Sequence, residues 1–218
     1  RRQRQMCIRD RNGVPYRHPA LVANMAASLD IVSGGRLELG LGAGWNEQET
    51  KAYGIDLLPM GQRMDRFEEA VEVIDSLLAH EITTFQGKYF QLEQARCEPK
   101  GPQRPRPPIV IGGGGEKRTL RVAARFAQHW NLPFATPEVF RKKNEILLAH
   151  CEAVGRDSSL IMRSVQIEST ADQDPAEVAD KAAMLFAAGV DQVILTLRTP
   201  YRAERVAVLA KSLEAIGP

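Results

Sequence analysis

The chain has 218 residues, 44% hydrophobic and 26% charged, the make-up of a soluble globular protein with enough apolar mass for one substantial core. Its 29 Lys and Arg against 27 Asp and Glu leave a formal charge of +2, so nucleic acid and anionic membranes are not expected as main partners and a small-molecule substrate is. The longest apolar runs, at 109–111 and 193–195, are far too short to cross a bilayer, and nothing near the start resembles a signal peptide, which makes a cytoplasmic location the expectation.

The first eleven residues, RRQRQMCIRDR, contain five arginines and no periodicity. They are expected to be a non-native leader, 1–11, ahead of a domain over 12–218. From Tyr16 the pattern becomes regular. Pro19, Leu21, Met25, Leu29 and Val32 describe an amphipathic helix that begins on proline and stops at Ser33-Gly34-Gly35. The run Arg36-Leu-Glu-Leu-Gly-Leu-Gly42 then alternates as a strand. Leu37, Leu39 and Leu41 share the face turned to a helix layer, while Glu38, Gly40 and Gly42 share the other.

Asp65 is expected to cap a second helix carrying Phe67, Val71, Ile74 and Leu78, and Phe85-Gln-Gly-Lys-Tyr-Phe90 suggests a hairpin set apart from the main architecture. The proline-rich stretch 99–108, with Arg104 and Arg106, reads as a stiff solvated linker. After it come a strand at 109–111, four glycines at 112–115 and a helix over 116–127. A strand at 129–132, a helix over 137–153, a strand near 161–168, a helix over 175–188, a strand at 192–197 and a helix over 202–215 follow.

Five strands alternating with helices imply parallel pairing through right-handed crossovers, in an open doubly wound sheet or a closed barrel. An eight-stranded barrel takes roughly 250 residues, so a barrel here lacks about three strands at the front.

Two glycine segments carry the chemistry. Gly40-Leu-Gly-Ala-Gly-Trp-Asn-Glu47 ends a parallel strand, where α/β folds assemble their sites, and its glycines let a planar ring lie on the backbone; the plainer alternative is a tight turn on which Trp45 packs. Gly112-Gly-Gly-Gly115-Glu-Lys-Arg118 joins a strand to a helix and aims free N–H groups at one point. That makes a phosphate cradle, to which Lys117 and Arg118 can add charge, or else a flexible loop. A dinucleotide fingerprint fits poorly, because Gln128-His-Trp-Asn131 stands where a ribose-binding acid belongs. His18, just before Pro19, is a helix cap or a group that orients ligand. Met60 and Met64 read as core or lid packing. His80, His129 and His150 share no ligand spacing and Cys7, Cys97 and Cys151 form no C-x-x-C pair, so no metal site is expected.

Taken in order, Tyr16-Arg-His-Pro19, Leu29-Asp-Ile-Val-Ser-Gly-Gly-Arg-Leu37, Gly40-Leu-Gly-Ala-Gly-Trp45, Tyr53-Gly54, Ile111-Gly-Gly-Gly-Gly-Glu-Lys-Arg118 and His129-Trp-Asn131 resemble the luciferase-like monooxygenase superfamily, in particular its branch dependent on coenzyme F-420. The resemblance implies a (β/α)₈ TIM barrel of the bacterial luciferase type, incomplete, with about strands four to eight present. It places Gly42, Ala43, Gly44 and Trp45 against the deazaflavin ring, Gly112, Gly113, Gly114, Gly115 and Lys117 at the phosphate, and Asn131 among the cofactor-binding residues. Catalytic candidates are Trp45, Asn46, Glu47 and His18. Where many relatives have Ala-Asp-Gly-Trp-Asn, this chain has Ala127-Gln-His-Trp-Asn131, which departs at the usual aspartate. The implied activity is hydride transfer between F-420 and a small organic substrate. The alternatives are an FMN-dependent monooxygenase served by a separate flavin reductase, and a non-catalytic flavin-binding barrel. A homodimer is implied for the full-length protein; separately, an open five-strand remnant exposes parallel strand edges and part of its core, so the isolated fragment is expected to be inactive.

Overall fold

The computed structural model describes residues 6–214, with side chains from residue 13 onward. Residues 1–5 of the expected leader and Ala215, the expected end of the last helix, lie outside the described residues, as does the side chain of Cys7.

Six parallel strands form the main sheet: β1 (Met6–Gly13), β2 (Leu37–Gly42), β5 (Ile109–Gly112), β6 (His129–Pro133), β7 (Met162–Ser169) and β8 (Gln192–Leu197). They stand side by side in the order β1-β2-β5-β6-β7-β8. A doubly wound sheet reverses its strand order at a switch point. Here the order follows the chain without reversal, so the sheet is a curled part of a barrel, with the helices packed outside it.

β1 runs through part of the segment 1–11 expected as a leader. Met6–Gly13 pairs in parallel with β2 and raises the strand count from five to six. Its register shifts between Ile8 and Asn12, and such an irregularity breaks the alternation by which a strand is recognised.

The helices are α1 (Pro19–Ser33), α2 (Glu47–Ala52), α3 (Met60–Ala79), α4 (Thr119–Phe126), α5 (Pro137–Ala153), α6 (Pro175–Ala187) and α7 (Ala203–Glu214). α1 begins on Pro19 and ends at Gly34, whose φ of 64° and N–H bonds to the Asp30 and Ile31 carbonyls close the last turn. β3 (Thr83–Gln86) and β4 (Gln91–Ala95) form the expected antiparallel hairpin. The Glu69 carboxylate of α3 accepts from the backbone N–H groups of Lys88, Tyr89 and Phe90 at 2.9, 2.8 and 3.2 Å and fixes the turn.

Three sequence expectations differ from the structure. α3 starts five residues before Asp65, after Pro59, and Asp65 forms an ion pair with Arg118 at 2.7 Å rather than capping a helix. α4 starts at Thr119 rather than at 116, because Arg118 before it holds φ at −122°, away from helical values. The proline-rich stretch is anchored rather than solvated. Arg106 pairs with Asp75 of α3 at 2.5 Å and donates to the Gln128 side chain at 2.7 Å, and Gln103 donates to the fully buried Asp30 at 2.7 Å.

The core lies between strands and helices. Leu37, Leu41, Ile109, Ile111, Trp130 and Val165 project outward onto Phe67, Ile74, Leu120, Phe140 and Leu147, each buried side chain contributing about 1.5–3 kcal/mol. Trp130 stacks on Phe140 at 5.9 Å, and its indole N–H donates to the Gly113 carbonyl. That bond ties the core to the glycine segment above β5.

Candidate functional site

A cavity of about 640 Å³ opens at the C-terminal ends of β2 and β5. Both glycine segments reach it. Gly42, Ala43, Gly44, Trp45 and Asn46 line one side, and Gly112, Gly113 and Gly115 line the other. β2 and β5 are direct neighbours, with Leu41 paired to Ile111, so two segments seventy residues apart in the chain emerge next to each other.

The first rim is shaped by close packing. Gly44 has φ of 83°, and a Cβ there would lie 2.9 Å from Pro15 Cγ, so the position requires glycine. Arg63 of α3, 9% exposed, donates to the Gly44 carbonyl at 3.2 Å and to the Leu58 carbonyl at 3.0 Å. Asn46 caps α2 by accepting from the Glu49 N–H at 3.0 Å. Trp45 is 79% exposed and lines the mouth of the cavity.

The second rim joins β5 to α4. No side chain caps α4, and Thr119 at its first turn lines the cavity with the glycines. Backbone N–H groups at such a helix start favour an anion. Gly113 is held by its N–H to the Asn131 carbonyl at 2.9 Å. Glycines that leave space where a side chain would intrude, beside a helix start, fit a flat ring joined to a phosphate.

Several residues singled out in the sequence lie elsewhere. Lys117 is exposed and does not line the cavity. Arg118 turns away from it to Glu68 and Asp65, both at 2.7 Å, and the Glu68 bond raises its pKa. At Gly114 a Cβ would meet Leu132 at 2.8 Å, so this glycine serves packing. Glu47 sits exposed in the first turn of α2, outside the cavity lining. His18 is the N-cap of α1, accepting from the Ala20 N–H, and meets Phe90 edge-on at 5.2 Å.

Asn131 points into the barrel interior below the cavity, where its Nδ2 donates to Ser164 Oγ at 2.8 Å. Ser164 Oγ also lies 2.6 Å from His129 Nε2, and His129 Nδ1 lies 3.2 Å from Glu38 Oε2. All four residues are buried. Their bonds are mutually satisfied when Ser164 donates to Nε2 and His129 donates from Nδ1 to the carboxylate. Among the described residues no group of three or more His, Cys, Asp or Glu is placed to hold a metal ion.

Sequence reading missed Tyr16 and Glu49, which both line the cavity. The Tyr16 hydroxyl donates to Glu49 Oε2 at 2.7 Å. That bond, with burial second, pushes the phenol up to about 12. Tyr16 opens the segment Tyr16-Arg-His-Pro19, but nothing in the sequence joins it to a residue 33 positions on.

The luciferase-like monooxygenase family profile matches residues 13–215. The chain is 30% identical over 165 residues to a pyrimidine monooxygenase RutA of Agrobacterium fabrum, covering 72% of this chain and 44% of that protein. It spans about half the length of the curated relatives it matches, between 30% and 60% of each. Among solved structures, the F-420-dependent tetrahydromethanopterin reductase of Methanopyrus kandleri superposes with a TM-score of 0.77 at 19% identity, covering 94% of this chain and 80% of that one. A long-chain alkane monooxygenase, LadA, superposes with a TM-score of 0.77 at 16% identity, covering 94% and 68%. At such identities these two likenesses speak for the fold. Among the described residues no helix is long and apolar enough to cross a membrane.

Proposed function

The chain belongs to the luciferase-like monooxygenase family, and we propose that it is the cofactor-bearing part of an oxidoreductase that transfers a hydride between coenzyme F-420 and a small organic substrate. The observation that carries this reading is the convergence of residues 42–45 and 112–115 on one cavity of about 640 Å³ at the C-terminal strand ends.

In this reading Gly42, Ala43 and Gly44 lie against the ring and Trp45 covers its exposed side. Gly115 and Thr119 receive the phosphate through backbone N–H groups and a hydroxyl, on a rim that Gly112 and Gly113 keep free of side chains. Gly114, Lys117 and Asn131, although expected among the cofactor contacts, have no part in it. When bound, the deazaflavin supplies a carbon centre that exchanges a hydride with substrate. The chain's residues hold the two reactants in a fixed relation and exclude water from between them. Arg63 keeps the Gly44 carbonyl in place, and the Trp130 bond to Gly113 fixes the opposite rim.

A second reading is an FMN-dependent monooxygenase that takes reduced flavin from a separate reductase; the 30% identity to a pyrimidine monooxygenase favours it. A cytoplasmic setting and a homodimer of the full-length protein complete the proposal. Titrating the chain with F-420 and with FMN, each followed by its own absorbance and fluorescence, tests the choice. The leading reading expects tighter binding of F-420 and no oxygen uptake. Tighter FMN binding with oxygen consumption establishes the second, and binding of neither removes both.

A further inference from the structure

We propose that Tyr16 and Glu49 are the proton-exchanging pair of the cavity: Glu49 accepts a proton from a bound substrate or returns one to it, and Tyr16 positions its carboxylate. The inference rests on the reading of the cavity as a cofactor site.

Among the described residues that line the cavity, Tyr16 and Glu49 alone carry ionisable side chains; the rest are glycines, apolar groups, an amide and a hydroxyl. Their bond joins two elements, since Tyr16 ends the short 3-10 turn Val14–Tyr16 after β1, and Glu49 belongs to α2. Glu49 uses one oxygen for Tyr16, and its other oxygen has no hydrogen bond among the described residues. Gly13 permits the placement of the phenol, because a Cβ there would lie 2.6 Å from the Tyr16 ring. Asn46 fixes the helix that carries Glu49. The charged and titratable groups around the pair are Arg17 next to Tyr16, Glu47, Lys51 and Tyr53 on or beside α2, and Arg63 on α3 at the Gly44 carbonyl.

The chemistry that needs such a pair is two-electron oxidation of an alcohol or amine. The substrate C–H bond breaks and its electron pair leaves as hydride to the oxidised deazaflavin or flavin ring. The O–H or N–H bond breaks and its proton goes to the Glu49 carboxylate, while a C=O or C=N bond forms. Substrate loses two electrons, the ring gains two, and Glu49 passes its proton to solvent. In the reverse direction the Glu49 carboxylic acid returns the proton.

The test loads the chain with F-420 and, separately, FMN, and follows ring reduction by a panel of primary and secondary alcohols and amines. The parent is compared with Glu49→Gln, Tyr16→Phe and, away from the cavity, Glu93→Gln, with circular dichroism checking that each variant folds. Glu49→Gln is expected to bind both probes as the parent does and to reduce the ring at least about 100-fold more slowly, as loss of a general base does. It is also expected to lose the acid limb of the pH-rate profile, which Tyr16→Phe keeps while losing a smaller part of the rate. A bound probe whose spectrum differs between the parent and Glu49→Gln but not between the parent and Glu93→Gln places the carboxylate beside the ring without turnover. Equal reduction rates in parent and Glu49→Gln, or a bound ring that no alcohol or amine reduces, overturn the inference alone. Failure of both probes to bind the parent overturns the cofactor reading beneath it.

Discussion

Arg63 Nη1 lies 3.2 Å from the Gly44 carbonyl oxygen, so a buried guanidinium on α3 holds the rim of a cavity that it does not line. No carboxylate pairs with it among the described residues, and its partners are the Gly44 and Leu58 carbonyls. Truncation to Ala leaves two carbonyls without that donor, at about 1–3 kcal/mol each where they stay dry. Arg63→Ala is therefore expected to lower the urea midpoint and to weaken F-420 or FMN binding together. Arg63→Lys keeps the charge but not the fork, and is expected to restore part of the stability and less of the affinity.

Gly44 and Gly34 both hold positive φ, at 83° and 64°, but differ in surroundings. At Gly34 a Cβ meets nothing within 4 Å, whereas at Gly44 it meets Pro15 Cγ at 2.9 Å. Gly34→Ala is expected to cost about 1–2 kcal/mol from backbone conformation alone and to leave ligand binding intact. Gly44→Ala adds a clash that displaces Pro15 or the rim, so its unfolding free energy falls further and probe affinity is lost. Equal effects of the two substitutions in paired denaturation and binding titrations would contradict the role given to Gly44.

Much of the fold was legible because its signals are local. Pro19, Gly34 and the leucines of β2 mark their elements by themselves, and the positions of both glycine segments at strand ends follow from the alternation. What stayed hidden depends on pairs distant in sequence. Asp65 looked like a helix cap because its true partner, Arg118, is 53 residues away, and the bond of Asn131, a residue the resemblance placed at the cofactor, to Ser164 spans 33 residues that no local pattern joins. β1 was hidden by its irregular register, and α2 by its six-residue length.

The Tyr16–Glu49 bond carries a pH signature. The folded phenol is raised to about 12 from an ordinary value near 10. A group raised in the folded state contributes stability that is fully present below the unfolded value and lost as pH rises through the folded one. The contribution is thus intact below about pH 10 and fades between about 10 and 12. In an absorbance titration the parent is expected to show one tyrosine ionising late, and Tyr16→Phe to lack that late transition. Glu49→Gln keeps an acceptor but removes the charge, so it weakens the first cause of the shift and is expected to bring the transition part of the way back toward the ordinary range.

The buried chain of Asn131, Ser164, His129 and Glu38 predicts a sharper loss for its middle member than for its end. Ser164 accepts from Asn131 at 2.8 Å and meets His129 Nε2 at 2.6 Å, with no exposure to solvent. Ser164→Ala strips a partner from both neighbours at once, leaving two buried polar groups unsatisfied at about 1–3 kcal/mol each. Asn131→Ala removes one bond and the group that made it, and leaves the Ser164 hydroxyl its bond to His129, so it costs less. Because Asn131 also lies beneath Gly113 through its backbone carbonyl, which Ala retains, probe binding is expected to survive Asn131→Ala. Urea unfolding and F-420 titration of the two variants separate a purely structural network from a ligand contact: affinity lost in Asn131→Ala without loss of stability would return that side chain to the cofactor.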